Sequence, residues 1–134
     1  MSQYQKWRGH AEIVLEDYHR NRRWLRDMET NIIYGNKKEP GIPRGSEVSD
    51  PTMSAAVHLL NSRIQQVRRE VDAVERVQRH LPKYGPLYAL MNLVWLERRC
   101  KLYQAAELLD MSYRTAIRHK KVICTLLARE LGWI

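Results

Sequence analysis

The stretch YQAAELLDMSYRTAIRHKK, residues 103–121, carries the clearest structural signal in this chain of 134 residues. Its spacing predicts a short helix over 103–109, a three-residue turn over 110–112, and a longer helix over 113–131 that Gly132 terminates. A short helix, a tight turn and a capped second helix form the layout of a helix-turn-helix. The sequence therefore predicts a helix-turn-helix in its last third.

Residue types within this stretch suit that geometry. Ala106 is small at the point where the two helices cross, and Ala116 faces back towards it. Met111 is the apolar turn residue expected to fill the core, and Ser112 can cap the second helix. The turn usually holds Gly where this chain has Asp110, because that position favours positive φ. Asp tolerates the left-handed region better than most residues do.

The helix expected at 113–131 has two contrasting faces when successive residues are spaced at about 100°. One face is apolar and is expected to be buried: Ile117, Ile123, Cys124 and Leu127. The opposite face carries Arg114, Arg118, Lys121 and Thr125. An Arg side chain in the major groove pairs bidentately with guanine, so this face is a candidate for reading DNA bases. Lys120 lies within the apolar arc and is expected to extend towards a phosphate.

Two long amphipathic helices are predicted upstream of this unit. In the first, over about residues 3–33, apolar or amphipathic residues recur at steps of three and four: Tyr4, Trp7, Ala11, Val14, Tyr18, Leu25, Met28 and Ile32. A similar seam marks the second helix, over 51–81: Val57, Leu60, Ile64, Val67, Val71 and Val74. Gly and Pro residues between the two helices predict a flexible loop over about 35–49. The seams can pair as an antiparallel hairpin within one chain or between two copies.

Pro residues punctuate the second half of the pattern. Asp50 and Pro51 are suited to start the second long helix, and Pro82 is suited to close it. A third helix is expected to begin near Leu87 and to end near three cationic residues, Arg98, Arg99 and Lys101. A domain boundary is therefore predicted between residues 82 and 83.

Net positive charge is concentrated beyond residue 62. The chain has a net charge of +8, and residues 63–134 contain 14 Lys and Arg against 7 Asp and Glu. Such an excess is typical of proteins that bind polyanions. Four arginines of the second long helix are either an extended track for phosphates or the solvated flank of a coiled coil: Arg68, Arg69, Arg76 and Arg79.

The composition argues against several other classes of protein. A surplus of helix-forming residues and the absence of Phe favour an all-α chain in which the four Trp residues pack in the core or at its edge. No apolar run approaches the roughly 18 residues of a membrane helix, and the first thirty residues lack a signal-peptide pattern, so we expect a cytoplasmic protein with reduced Cys100 and Cys124. Neither a phosphate loop, nor a nucleophile elbow, nor metal-ligand spacing of the five His is present. We therefore expect no enzyme, no cofactor and no metal.

Several segments resemble a family of phage regulators. They are RGSEVSDPT at 44–52, the Leu81-Pro82 stop, the helix around Trp95, the Met111-Ser112 turn with Thr115-Ala116, and the closing Leu131-Gly132-Trp133. Together they are similar to the phage-encoded late-gene transcriptional activators of the ArpU and RinA type, whose C-terminal part is similar to region 4 of sigma factors. Relatives often have Gly in place of Asp110 and an aromatic residue in place of Ile117. The resemblance implies binding to double-stranded DNA at a late promoter and assistance of RNA polymerase in the bacterial host.

We therefore expect an all-α protein with a long N-terminal helical hairpin or coiled coil at 1–82 and a small helix-turn-helix domain at 83–134. The expected DNA-binding residues are Lys101, Ser112, Tyr113, Arg114, Thr115, Arg118, His119, Lys120 and Lys121. Lys101, Lys120 and the amide end of the last helix would contact phosphates, whereas Arg114, Arg118 and Tyr113 would contact bases. If the long helices pair between chains, the protein is a homodimer. Two alternatives are a phage small terminase subunit and a coiled-coil module that binds an acidic protein without binding DNA.

Overall fold

The computed structural model describes residues 3–38 and 51–134, and all regular secondary structure in these two ranges is helical. In chain order the helices are α1 (Gln3–Glu16), α2 (Tyr18–Lys38), α3 (Pro51–His80), α4 (Pro86–Met91), α5 (Leu102–Leu108) and α6 (Tyr113–Glu130). α4 continues directly into a π-helical turn over Asn92–Leu96, called the π turn below. The expectation of an all-α protein is confirmed for these residues. None of their helices is long and apolar enough to cross a bilayer.

The bounds of α3 follow from its Pro residues. Pro51 is the first residue of the helix, where a missing N–H costs nothing and the fixed φ suits the first turn. At the other end, the Leu81 N–H donates to the carbonyl oxygens of Val77 and Gln78, both at 3.2 Å. Pro82 cannot continue this pattern because it lacks a donor. The second long helix is thus confirmed to within one residue.

The prediction of a single first helix over about 3–33 is wrong. Asp17 separates α1 from α2, although the Asp17 N–H donates to Ile13 at 2.9 Å and the Asn21 N–H donates to Asp17 at 2.8 Å. The two helices pack against different partners, since α1 lies on α6 whereas α2 lies on α3. A repeated apolar seam shows which face of a helix is buried, but it does not require one partner to cover its whole length.

The first four residues of the loop predicted at about 35–49 are helical. α2 extends to Lys38, so residues 35–38 continue the helix. The remainder of the predicted loop lies outside the described residues.

α2 and α3 run antiparallel within this one chain. The Tyr18 hydroxyl donates to Glu75 Oε2 at 3.3 Å, and the Arg68 guanidinium donates to Glu29 Oε1 at 3.0 Å. As the chain advances along α2, its partners therefore move backwards along α3. Beyond this contact the seam of α3 continues in exposed residues, because Val57 is 49% exposed and Leu60 is 41% exposed.

One hydrophobic core extends across the boundary predicted between residues 82 and 83. α1 contributes Ala11, Val14 and Leu15; α2 contributes Tyr18 and Leu25; α3 contributes Ile64, Val67, Val71, Ala73, Val74 and Val77; the later elements contribute Leu90, Met91, Trp95, Ala105, Ile123, Cys124 and Leu127. Helix α6 packs against α1, α3, α4 and α5. Residues on the two sides of the predicted boundary thus bury one another in the same core.

Trp95 and Leu96 join the π turn to the first two helices. Its indole is buried and donates from Nε1 to Glu16 Oε1 at 3.0 Å, and the neighbouring Leu96 carbonyl oxygen accepts a hydrogen bond from the His19 ring. Trp133 instead packs at the edge, with its ring 5.9 Å from that of His10 in a T-shaped contact. Both positions agree with a packing role for these tryptophans.

We expect Leu127→Ala to lower the free energy of unfolding by about 2–5 kcal/mol, because Leu127 is fully buried where α6 meets the core. Leu108→Ala is the matched control, since Leu108 is 70% exposed and should change this free energy by less than about 0.5 kcal/mol. Urea denaturation followed by circular dichroism measures both values. Equal losses in the two variants would contradict the position of the core.

Candidate nucleic-acid interface

A tight turn joins α5 to α6. Asp110 has φ of 54°, as its place in the sequence predicts. Its N–H donates to the Glu107 carbonyl oxygen at 3.2 Å, and the Met111 N–H donates to the Ala106 carbonyl oxygen at 2.9 Å. These two bonds are those of a Schellman motif, which satisfies the free carbonyls at a helix end. The turn is therefore fixed by the backbone of α5 itself.

Ser112 caps the N-terminus of α6, as predicted. Its hydroxyl accepts a hydrogen bond from the Thr115 N–H at 3.1 Å and donates to the Thr115 hydroxyl at 2.9 Å. A Ser cap satisfies one of the amides that a helix start leaves free. The side chains of Ser112 and Thr115 are thus engaged with each other at the start of the helix.

The turn residues pack largely as the sequence suggests. Ala106 and Ala116 are buried where α5 and α6 pack together. Met111 is only partly buried, so it lies at the margin of the core and does not fill it. The other end of α6 closes with a second Schellman motif at Gly132, whose φ is 76°.

The two faces of α6 separate as the helical spacing predicts. Ile123, Cys124 and Leu127 are buried, and Ile117 is partly buried. Burial raises the pKa of the Cys124 thiol to about 11, since desolvation disfavours the thiolate. Cys124 is therefore a packing residue and not a reactive thiol.

The opposite face of α6 is basic and open to solvent. Arg114, Arg118 and Lys121 are exposed, and Thr125 beside them is partly exposed, with its hydroxyl donating to the Lys121 carbonyl oxygen at 2.9 Å. Helical spacing places the two arginines one turn apart on the same side. This face presents three cations, none of which lies in an ion pair with another described residue.

The Lys120 side chain, which was expected to extend towards a phosphate, extends towards a carboxylate of α1. Its ammonium group forms an ion pair with Glu12 of α1, and the Lys120 side chain is only 23% exposed. The side chain does extend out of the apolar arc, but its end meets a carboxylate on the neighbouring helix. In this arrangement Lys120 connects α1 to α6.

The remaining predicted residues lie around the start of α6 and of α5. Tyr113 is exposed, whereas His119 is partly buried. Lys101 is exposed at the start of α5, where its N–H donates to Gln104 Oε1 at 2.9 Å. The structure therefore brings Tyr113, Lys120 and Lys121 to one side of α6 and places Lys101 at the adjoining end of α5.

Two adjoining clefts lie along α1. The smaller, of about 290 Å³, lies between α1 and α6 and is lined by Arg8, Tyr113, Lys120 and Lys121 among others. The larger, of about 540 Å³, lies between the end of α1, the π turn and the start of α5, and its cations are Arg98, Arg99, Lys101 and Lys120. Leu102 and Lys120 line both clefts.

Arg8, Arg98 and Arg99 were not among the predicted site residues. The cluster of cations at 98–101 was visible in the sequence, but only the fold brings it beside Lys120.

The arginines of α3 are partly neutralised. Arg68 pairs with Glu29 at 3.0 Å, and Arg76 lies 3.9 Å from Glu130. Both pairs are exposed to solvent, so they are compatible with a solvated flank and with a phosphate track alike. Within the described ranges, no three His, Cys, Asp or Glu side chains come together as metal ligands would.

We expect Asp110→Gly to raise the free energy of unfolding by up to about 1 kcal/mol, because Gly adopts positive φ without the steric cost borne by Asp. Asp110→Val should lower it, since a β-branched residue is strained there. Thermal unfolding of the two variants beside the wild-type chain measures both shifts. Destabilisation by Gly would show that the Asp110 side chain makes a compensating contact.

A double-mutant cycle tests the contact between α1 and α6. With Glu12→Gln and Lys120→Gln, we expect a coupling of about 0.5–1 kcal/mol, because the Lys120 end of the pair is partly shielded from water. The exposed pair of Arg20 and Asp17, with their side chains 75% and 31% exposed, is the control and should couple by less than about 0.5 kcal/mol. Zero coupling between Glu12 and Lys120 in urea titrations would refute a stabilising ion pair.

The described residues thus present a capped helix with one buried and one basic face, next to a basic cleft. Comparison with known proteins adds nothing to this geometry, since neither a family model nor a curated protein nor a solved structure matches the chain.

Proposed function

We propose that this chain is a sequence-specific DNA-binding protein in which α5, the turn at 110–112 and α6 act as a helix-turn-helix. The observation that carries the proposal is the basic face of α6, where Arg114, Arg118 and Lys121 are exposed opposite the buried residues. The major groove of B-DNA, about 12 Å wide, admits a helix of this kind. A surplus of positive charge in the chain adds non-specific attraction to the duplex.

The proposed binding mode separates positioning from readout. Lys101 at the start of α5 and the N-terminal amides of α6 contact phosphates and set the register. Arg114 and Arg118, with Tyr113 beside them, contact base edges. The Lys120 ammonium group is paired with Glu12 in the free protein. It can therefore contact a phosphate only while it also stays close to that carboxylate. The cap formed by Ser112 and Thr115 orients the helix end that approaches the DNA.

The biological role that we propose is activation of phage or prophage late genes, with assistance to RNA polymerase in the cytoplasm of the bacterial host. The support for this part is the resemblance to activators of the ArpU and RinA type. The basic face of α6 supports the DNA-binding part of this role.

The α2 and α3 pair serves in this proposal as a helical hairpin that carries the DNA-binding unit and joins two copies. Val57 and Leu60 continue the seam of α3 beyond its contact with α2, and both are exposed. A second copy that covers them would pair two DNA-binding units about a twofold axis, as half-sites in a duplex require.

We expect Arg114→Ala combined with Arg118→Ala to weaken binding to a selected duplex by a factor of roughly 30 to 20,000, since the two base contacts contribute about 1–3 kcal/mol each and every 1.4 kcal/mol is about tenfold in affinity. The duplex is first selected from a random pool, and binding is followed by fluorescence anisotropy. Arg23→Ala with Arg26→Ala is the matched control, because both arginines are exposed on α2. The control variant should lose only the small, sequence-independent part of the affinity.

Three outcomes would overturn the proposal. Absence of salt-dependent duplex binding by the wild-type chain would exclude DNA binding. Equal losses in the two double variants would exclude base readout by α6. A ring of about eight or more chains in a mass measurement would favour a small terminase subunit over an activator.

A further inference from the structure

We infer that the larger cleft, between the end of α1, the π turn and the start of α5, binds a phosphate group. Its volume is about 540 Å³, and four cationic side chains line it: Arg98, Arg99, Lys101 and Lys120. The one carboxylate in its lining is Glu16. Guanidinium and ammonium groups gathered around a concave surface suit the tetrahedral, multiply charged phosphate oxyanion.

The positive charge of the cleft is only partly compensated. Glu16 accepts a hydrogen bond from the Trp95 indole at 3.0 Å, and Glu12 outside the cleft pairs with Lys120. Arg99 pairs with Glu97 at 2.9 Å, but both side chains are well exposed, so water screens that pair and an anion can displace it at little cost. No ion pair within the described ranges holds Arg98 or Lys101.

The backbone at the rim of the cleft is unusual. The Glu97 N–H donates to the Asn92 carbonyl oxygen at 2.7 Å, and the Arg99 N–H donates to the Leu93 carbonyl oxygen at 2.9 Å, so the helix widens before it ends. Arg98 then adopts φ of 49°, in the left-handed region that residues other than Gly rarely occupy. Holding an Arg at such a position agrees with a use for its guanidinium.

The phosphate has two candidate sources, the DNA backbone and a free phosphate-bearing ion. The cleft adjoins the smaller one through Leu102 and Lys120, and the smaller one is lined by Tyr113 and Lys121 at the start of α6. A duplex held on α6 would therefore pass close to the larger cleft. With DNA as the source, the inference rests on the proposed function; with a free ion, it stands without it.

The first arm of the test measures how tightly each variant binds a DNA duplex. Arg98→Gln with Arg99→Gln removes two cations from the cleft, and Arg23→Gln with Arg26→Gln removes two exposed cations from α2 as the control. The logarithm of the duplex affinity is plotted against the logarithm of the salt concentration. For the cleft variant we expect about fivefold weaker binding at 0.1 M salt and a slope smaller by about 1, because each neutralised phosphate contributes about 0.9. The control should keep the wild-type slope.

The second arm uses inorganic pyrophosphate without DNA. Amide chemical shifts in a two-dimensional NMR spectrum are followed during its addition to the wild-type chain and to both double variants. A cleft that takes a free phosphate gives shifts confined to residues around 98–102, which are lost in the cleft variant and kept in the control. Thermal unfolding of each variant confirms that it is folded, and Lys101→Gln provides a second, single-site variant.

The two arms separate this inference from the proposed function. A reduced slope in the cleft variant supports the cleft as a site for a DNA phosphate, and localised pyrophosphate shifts support it for a free phosphate. An unchanged slope together with no localised shifts overturns the inference, even if the wild-type chain binds DNA. Failure of the wild-type chain to bind any duplex rejects the proposed function, and the pyrophosphate arm then decides the cleft alone.

Discussion

Burial of α6 is the constraint on which the other elements depend. α1, α3, α4 and α5 all pack against this one helix, and Ile123 and Leu127 are among the most completely buried side chains of the described chain. A helix covered on several sides has only one face left for solvent. The packing of its apolar residues therefore determines where Arg114 and Arg118 point, and a shift in that packing would move the basic face.

Local chemistry explains which features were predictable from the sequence. Pro51 and Pro82 bound α3, Ser112 caps α6, and Asp110 adopts positive φ, each for reasons contained within a few neighbouring residues. The break at Asp17 was not predictable in this way, because α1 packs mainly on α6, a helix far along the chain, whereas α2 packs mainly on α3. A seam of apolar residues shows which face of a helix is buried, but it does not identify the helix that buries it.

The candidate site divides along the same line. Helical spacing alone placed Arg114, Arg118 and Lys121 opposite the buried face, and the structure agrees. The direction of the Lys120 side chain could not be predicted without knowing that Glu12 lies beside it. The cleft around Arg98 could not be predicted without knowing the positions of the π turn and of the end of α1. A widened helical turn has no simple sequence pattern, since it depends on how the flanking segments pack. One hydrophobic core also joins residues before and after position 82, and neither the apolar seams nor the Pro residues indicate that contact.

The contact of α1 with α6 has a consequence for folding during synthesis. Glu12 and Lys120 are 108 residues apart, so the ribosome needs roughly 5 to 20 s to make the chain between them. Over that interval Ala11, Val14 and Leu15 lack the helix that covers them in the finished protein. Contacts between such distant residues slow folding and leave apolar surface exposed to aggregation or chaperones. The residues of α1 are thus synthesised long before the helix that buries them.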